Sequence, residues 1–189
     1  MSRAYRIRVK ESSRRELKGS DEICTDLEVL EILPPEQMSE LLKKELKEKG
    51  FAEQDGKLVR KDGDVTITVD PKTCEVTVRS EVGEEVTLEA ERTEQAYDDV
   101  GPGAKDVRER AQKELAKDLD RKAKQKTEQL EGKATEQLEK KLCDLQPELS
   151  EVVNRVTREA LKQKAQQLGT VKEIAEDDET GSLTIKVEV

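Results

Sequence analysis

Apolar residues recur along this chain at two different periods, and the switches between them mark out its elements. Tyr5, Ile7 and Val9 alternate with Arg6, Arg8 and Lys10, the period of two expected of a strand with one wet face. The polar run ESSRRELKGSDE that follows reads as a loop. ICTDLEVLEIL then reads as extended, with Leu27 and Val29 alternating with Asp26 and Glu28 until Pro34 and Pro35 stop it. Pro35 suits the first turn of a helix, where its missing N–H costs nothing. Met38, Leu41, Leu42 and Leu46 share one helical stripe over residues 36–49, and Gly50 supplies the stop. Over residues 51–91 the period returns to two. Turn signals at Asp62-Gly63, Asp70-Pro71 and Val82-Gly83 divide this stretch into a meander. Val65, Ile67 and Val69 share a face, a pattern repeated by Val76 with Val78 and by Val86 with Leu88. Leu183, Ile185, Val187 and Val189 alternate in the same way at the end, so the first and last strands are expected to share one sheet.

Between these strand-like regions the sequence GPG at 101–103 breaks the chain as a hinge or turn. After it Ala104, Val107, Ala111, Leu115, Leu119, Ala123, Leu130, Ala134, Leu138, Leu142 and Leu145 recur at threes and fours, which predicts one long helix. Its average step exceeds 3.5, favouring a straight or slightly right-handed seam. Pro147 reads as the start of a second helix carrying Leu149, Val152, Val153, Val156, Ala160, Leu161, Ala165 and Leu168, with Gly169 ending it. Paired antiparallel, this second helix would cover the first only from about Ala123 to Leu145. The earlier part of the seam, Val107, Ala111, Leu115 and Leu119, must then lie on the dry face of the sheet or meet a partner. An amphipathic helix with its seam in water would be marginal. Gly132 within this helix marks a close crossing, a bend or simply a tolerated surface position. A loose echo links LKEKGFAEQDGKLVRKDGDVTITV to LKQKAQQLGTVKEIAEDDETGSLTIKV, each running from a helix end through Gly to a strand; it is either a duplicated unit or the ordinary grammar of an α+β protein.

Charge changes the picture more than composition does. Charged residues make up 42% of the 189 and apolar ones 33%, with one Phe, two Tyr and no Trp, so the core must be modest and aliphatic. The net charge of −9 disfavours nucleic acid and anionic membrane as partners. Within 101–168, however, 16 basic residues face 13 acidic ones, which leaves this arm at +3 and the rest at −12. Cys24, Cys74 and Cys143 are far apart and form no CxxC motif, so they read as buried reduced thiols. The opening MSRAYRIRVK is no signal peptide and no long apolar segment occurs, which points to a soluble, cytoplasmic protein.

No His is present, which removes Ser-His and Cys-His nucleophilic systems and the usual neutral-pH base. The carboxylates sit at solvent-facing positions without an apolar frame to shift them. Asp62, Asp64 and Asp70 are the candidates for a carboxylate-based, metal-assisted hydrolase. EDDET at 176–180 lacks the alternating ligands and the Gly of an EF-hand and reads as a solvated acidic turn. KDLDRKAKQK mixes its Lys and Arg with acids and has no stacking aromatic, so a phosphate-binding role for the arm ranks below plain solvation. Arg6, Arg8 and Lys10 are expected to pair with Glu side chains on a neighbouring strand, Glu188 being one choice. No catalytic, cofactor or metal residue is assigned.

The opening SRAYRIRVKES followed by CTDLEVLEILPPEQMSELLKKELKEKGF resembles the start of small bacterial proteins encoded alongside FtsH-type AAA+ ATPases in multi-gene ternary conflict systems. The likeness covers about the first fifty residues and carries no catalytic motif. It implies an accessory protein working with an ATPase. The expected architecture is α+β: an antiparallel sheet with one short packed helix over 1–100, a long inserted antiparallel helical hairpin over 101–169, and strands over 170–189 that complete the sheet. The expected function is a non-catalytic adaptor that binds a protein partner or its own copy through Val107, Ala111, Leu115 and Leu119.

Overall fold

The computed structural model describes residues 4–97, 103–177 and 182–188. In chain order the elements are β1 (Ala4–Asp26), α1 (Pro35–Glu48), β2 (Ala52–Gln54), β3 (Lys57–Asp62), β4 (Val65–Val69), β5 (Glu75–Tyr97), α2 (Ala104–Leu168), β6 (Thr170–Asp177) and β7 (Ser182–Glu188). The fold is α+β. Five strands form a sheet in the order β1-β5-β4-β3-β2, and β6 and β7 form a sheet of their own. The chain divides into two compact units, Met1–Asp21 with Glu81–Thr135, and Glu22–Ser80 with Glu136–Val189. These boundaries differ from those expected at 100 and 169, because β1, β5 and α2 each contribute to both units.

In the first unit the outer faces of β1 and β5 are tied by Arg8 and Glu91, Arg14 and Glu85 at 2.6 Å, and Lys18 and Glu81 at 3.6 Å. As one residue number rises the other falls by the same amount, the mark of antiparallel partners. Lys10 also reaches Glu91, at 2.9 Å. Arg8 and Lys10 are therefore paired as expected, with Glu91 in place of Glu188, which bonds Lys172. The expected loop at 11–22 is strand. Period two continues through it, with Ser13, Arg15, Leu17 and Gly19 inward and Arg14, Glu16 and Lys18 exposed. Only one of those four inward residues is a large aliphatic, so hydropathy alone hides the alternation. Arg15 is satisfied there by Asp120 of α2, 2.8 Å away. The expected turn at Val82-Gly83 is likewise continuous strand within β5.

In the second unit α1 starts with Pro35 at its first turn and buries Met38, Leu41, Leu42 and Leu46. Asp55 and Gly56, both at positive φ, make the tight β2–β3 turn, and Gly63 at φ 63° makes the next. Register pairs Leu58 with Val69, Ile67 with Val78 and Val69 with Val76. These side chains, with Leu138, Leu145, Leu149, Val152, Val156 and Ala160 of α2, form one aliphatic core.

The expected helical hairpin is not what the chain forms. α2 is one continuous helix of 65 residues with Pro147 inside it. Proline there removes the N–H that would meet the Cys143 carbonyl and costs about 3 kcal/mol. The buried stripe, however, keeps its phase across the proline, from Leu138 and Leu145 to Leu149, Val152 and Val156. Each of those aliphatic side chains gains roughly 1.5–3 kcal/mol on burial, enough together to carry the helix through. The C-terminal strands do not complete the main sheet either: Val171 faces Val187 and Ile174 faces Ile185 in their separate pair. The thiols also depart from expectation, with Cys24 and Cys143 exposed and only Cys74 half-buried. Gly132 is a surface position with open space around it, whereas the close crossing of the first unit falls at Gly19. Gly101 and Pro102 of the GPG break lie outside the described residues.

Candidate interaction site

The seam residues come first. Val107, Ala111, Leu115 and Leu119 are all buried, Leu115 completely. Ala111 and Leu115 pack on Val9, Ile7 and Ala90, while Leu119 and Ala123 pack on Leu88, Leu17 and Val86. Of the two coverings open to the early part of the arm, its own strands supply one. Ala111, Leu115 and Leu119 brace the first unit from within.

The candidate acids do not converge. Asp62 ends β3 and accepts from Lys141 at 2.7 Å, with Arg60 Nε at 3.4 Å. The lysine hydrogen bond holds its carboxyl below the usual carboxylate range, against the opposing effect of burial. Asp70 lies beyond the other end of β4, where its Oδ1 accepts the Lys72 amide at 2.9 Å within the β4–β5 turn. Asp64 sits exposed between β3 and β4. Of the EDDET run, Glu176 pairs with Lys162, and residues 178–180 lie outside the described residues. Among the described residues no three metal-ligating side chains cluster.

Arg60 is the hub of the half-buried polar chemistry. Its Nη1 and Nη2 donate to both oxygens of Glu148 at 2.6 and 2.8 Å, Nη1 also donates to the Lys49 carbonyl at 3.0 Å, and the guanidinium stacks 4.6 Å from the Phe51 ring centre. This fork holds the Glu148 carboxyl below its ordinary range and raises Arg60, the hydrogen bond outweighing desolvation in each. The cluster latches α2 to β3. Its charges are matched, so it reads as structure.

The second unit also carries an open groove of about 740 Å³ along one flank of α2. Its floor is Val76 and Val78 with Leu145 and Leu149. One wall is the end of β1 and the residues after it, from Ile23 to Glu28. The other is the helix flank of Leu142, Cys143, Gln146, Ser150, Val153 and Asn154. Ile23 is 37% exposed, and Leu142 and Val153 are half-buried. Charge is arranged unevenly around this groove. In residues 142–154 the only charges are Asp144, Glu148 and Glu151, the last two turned to Arg60 and Lys49. In residues 23–35 they are Asp26, Glu28 and Glu31. Neither wall segment contains a Lys or Arg, in a chain with 35 of them. The periodicity of the seam drew attention to the arm, but this gap in the basic residues was the available signal for the groove.

The chain is thus an α+β protein with a matched polar latch and an apolar groove that carries Asp26 and Glu28 on one wall. The chain belongs to the FtsH ternary system domain X5 family, whose model matches residues 1–189. No curated protein and no solved structure matches it. Among the described residues no helix is long and apolar enough to cross a membrane.

Proposed function

We propose that this chain is a non-catalytic interaction protein of the FtsH-associated ternary system, acting beside the ATPase in the cytoplasm, and that it receives a protein partner in the groove of its second unit. The observation that supports this best is the groove itself. A chain that is 42% charged keeps one helix flank free of exposed charge and opposes it with Ile23 and Leu27. Apolar surface held open in this way is stabilised when a partner removes it from water. The arm keeps the role of a scaffold in this reading. Ala111, Leu115 and Leu119 fix it to β1 and β5, so its outer, charged face is what the arm can offer a partner.

The test mixes the purified full chain with the soluble ATPase portion of the FtsH-type protein of the same system and measures absolute mass by light scattering. A species of the combined mass is expected. Two components that stay separate at micromolar concentration, with and without nucleotide, would overturn the reading.

A further inference from the structure

We infer that the groove is a receptor for one amphipathic helix whose apolar stripe is flanked by Lys and Arg. The inference rests on the interaction reading above and names the chemistry of the partner at that site. Two observations carry it. First, the charge that lines the groove is acidic and lies on one wall, with Asp26 and Glu28 at the rim and no Lys or Arg in residues 23–35, so a basic flank on the occupant finds opposite charge there while its stripe meets the uncharged helix flank. Second, the groove side chains of α2 recur at helical spacing, Leu142, Gln146, Leu149 and Val153, and run beside the helix for about 18 Å. That ridge suits a second helix packed alongside.

A strand added to the free edge of β1 is the competing occupant, since β1 ends the sheet order. The groove, however, is floored by side chains on the face of the sheet, Val76 and Val78, and an added strand would use the backbone ladder of the edge instead. A helix answers the geometry better.

The probe is a synthetic amphipathic helix of about 18 residues, long enough to lie along the groove and to form a helix, with a Leu stripe and Lys flanks. One control carries the same stripe with Glu flanks, and another carries the same residues reordered to period two. Binding to the full chain is read by anisotropy at two salt concentrations and by alkylation of the exposed thiols. The Lys-flanked helix is expected to bind, to weaken as salt rises, and to slow alkylation of Cys143 while leaving Cys24 unchanged. Ser150→Lys, at an exposed rim position, should weaken it roughly tenfold or more and favour the Glu-flanked control; Val153→Asp, checked by its melting curve, gives a second variant. Equal binding of both helices, preference for the period-two peptide, or an unprotected Cys143 would overturn the inference. So would a dimer of the chain that shields Cys143 unaided, in favour of a second copy. An ATPase complex that ignores Ser150→Lys and leaves Cys143 reactive would sink the helix receptor and keep the interaction protein; loss of both peptide and complex would sink the two together.

Discussion

Gly19 of β1 lies so close to α2 that a Cβ at position 19 would fall 2.8 Å from the Leu130 Cβ and nearer still to the peptide joining Leu130 to Glu131. Backbone cannot swing aside as a side chain can. Gly19→Ala should therefore cost at least the 1–3 kcal/mol typical of overpacking. Gly132 is the internal contrast, since open space surrounds it and a helix gains roughly 0.5–1 kcal/mol when Gly becomes Ala. Urea unfolding of the two variants should move in opposite directions. The same direction for both would mean that the approach at Gly19 is looser than described.

Leu115 is fully buried under Val9 and Ala90. Leu115→Asp places a carboxylate there with no partner and should cost more than about 4 kcal/mol, the range of severe core lesions. Hydrogen exchange should report the loss as deprotection of β1, β5 and the start of α2. Protection unchanged in those segments would return the seam to the role of a partner-binding surface.

Acid should weaken the second unit through the Arg60 latch. The carboxyls of Glu148 and Asp62 are both held below their ordinary values in the fold, by Arg60 and Lys141 respectively. Groups depressed in this way contribute stability that is complete above their unfolded-state values and lost as pH falls through the folded ones. Stability should be flat near neutrality and fall below about pH 5. Glu148→Gln should cost about 1–2 kcal/mol at pH 7 and make the acid limb shallower. An acid limb of unchanged slope would remove the latch from the account.

Thiol chemistry gives a check that needs no variant. Cys24 and Cys143 are exposed and should alkylate rapidly. Cys74 is half-buried at positive φ in the β4–β5 turn, and burial, with Asp70 next, pushes its thiol up. Mass spectrometry over time should show two early additions and one late. Three additions at one rate would contradict the burial of Cys74.

The parts of the fold that could be read from the chain are those where apolar and polar residues agree with the local period. α1 was legible from Pro35, Met38, Leu41, Leu42, Leu46 and Gly50, and the β3–β4 turn from Asp62-Gly63. The middle of β1 was not, because its inward row is filled by Ser13 and Arg15 for the sake of a close helix and an ion pair with Asp120. Pro147 misled for a similar reason. A local rule against proline lost to a buried stripe whose phase continued on both sides. The seam was legible as a stripe, and what covers it was not, since β1 and β5 come from opposite ends of the preceding hundred residues. The groove required asking where Lys and Arg are missing.

Ser80 and Gln137 are joined by a hydrogen bond of 3.3 Å inside the second unit, although 56 residues separate them in the chain. The two segments that build that unit therefore meet where residues 81–135 leave and return. A short turn from Ser80 to Glu136, with residues 1–21 removed, would rejoin them without stretching either. To the engineer this makes the braced ribbon a detachable insert, and the grooved unit a host that could carry its function in a chain little more than half as long.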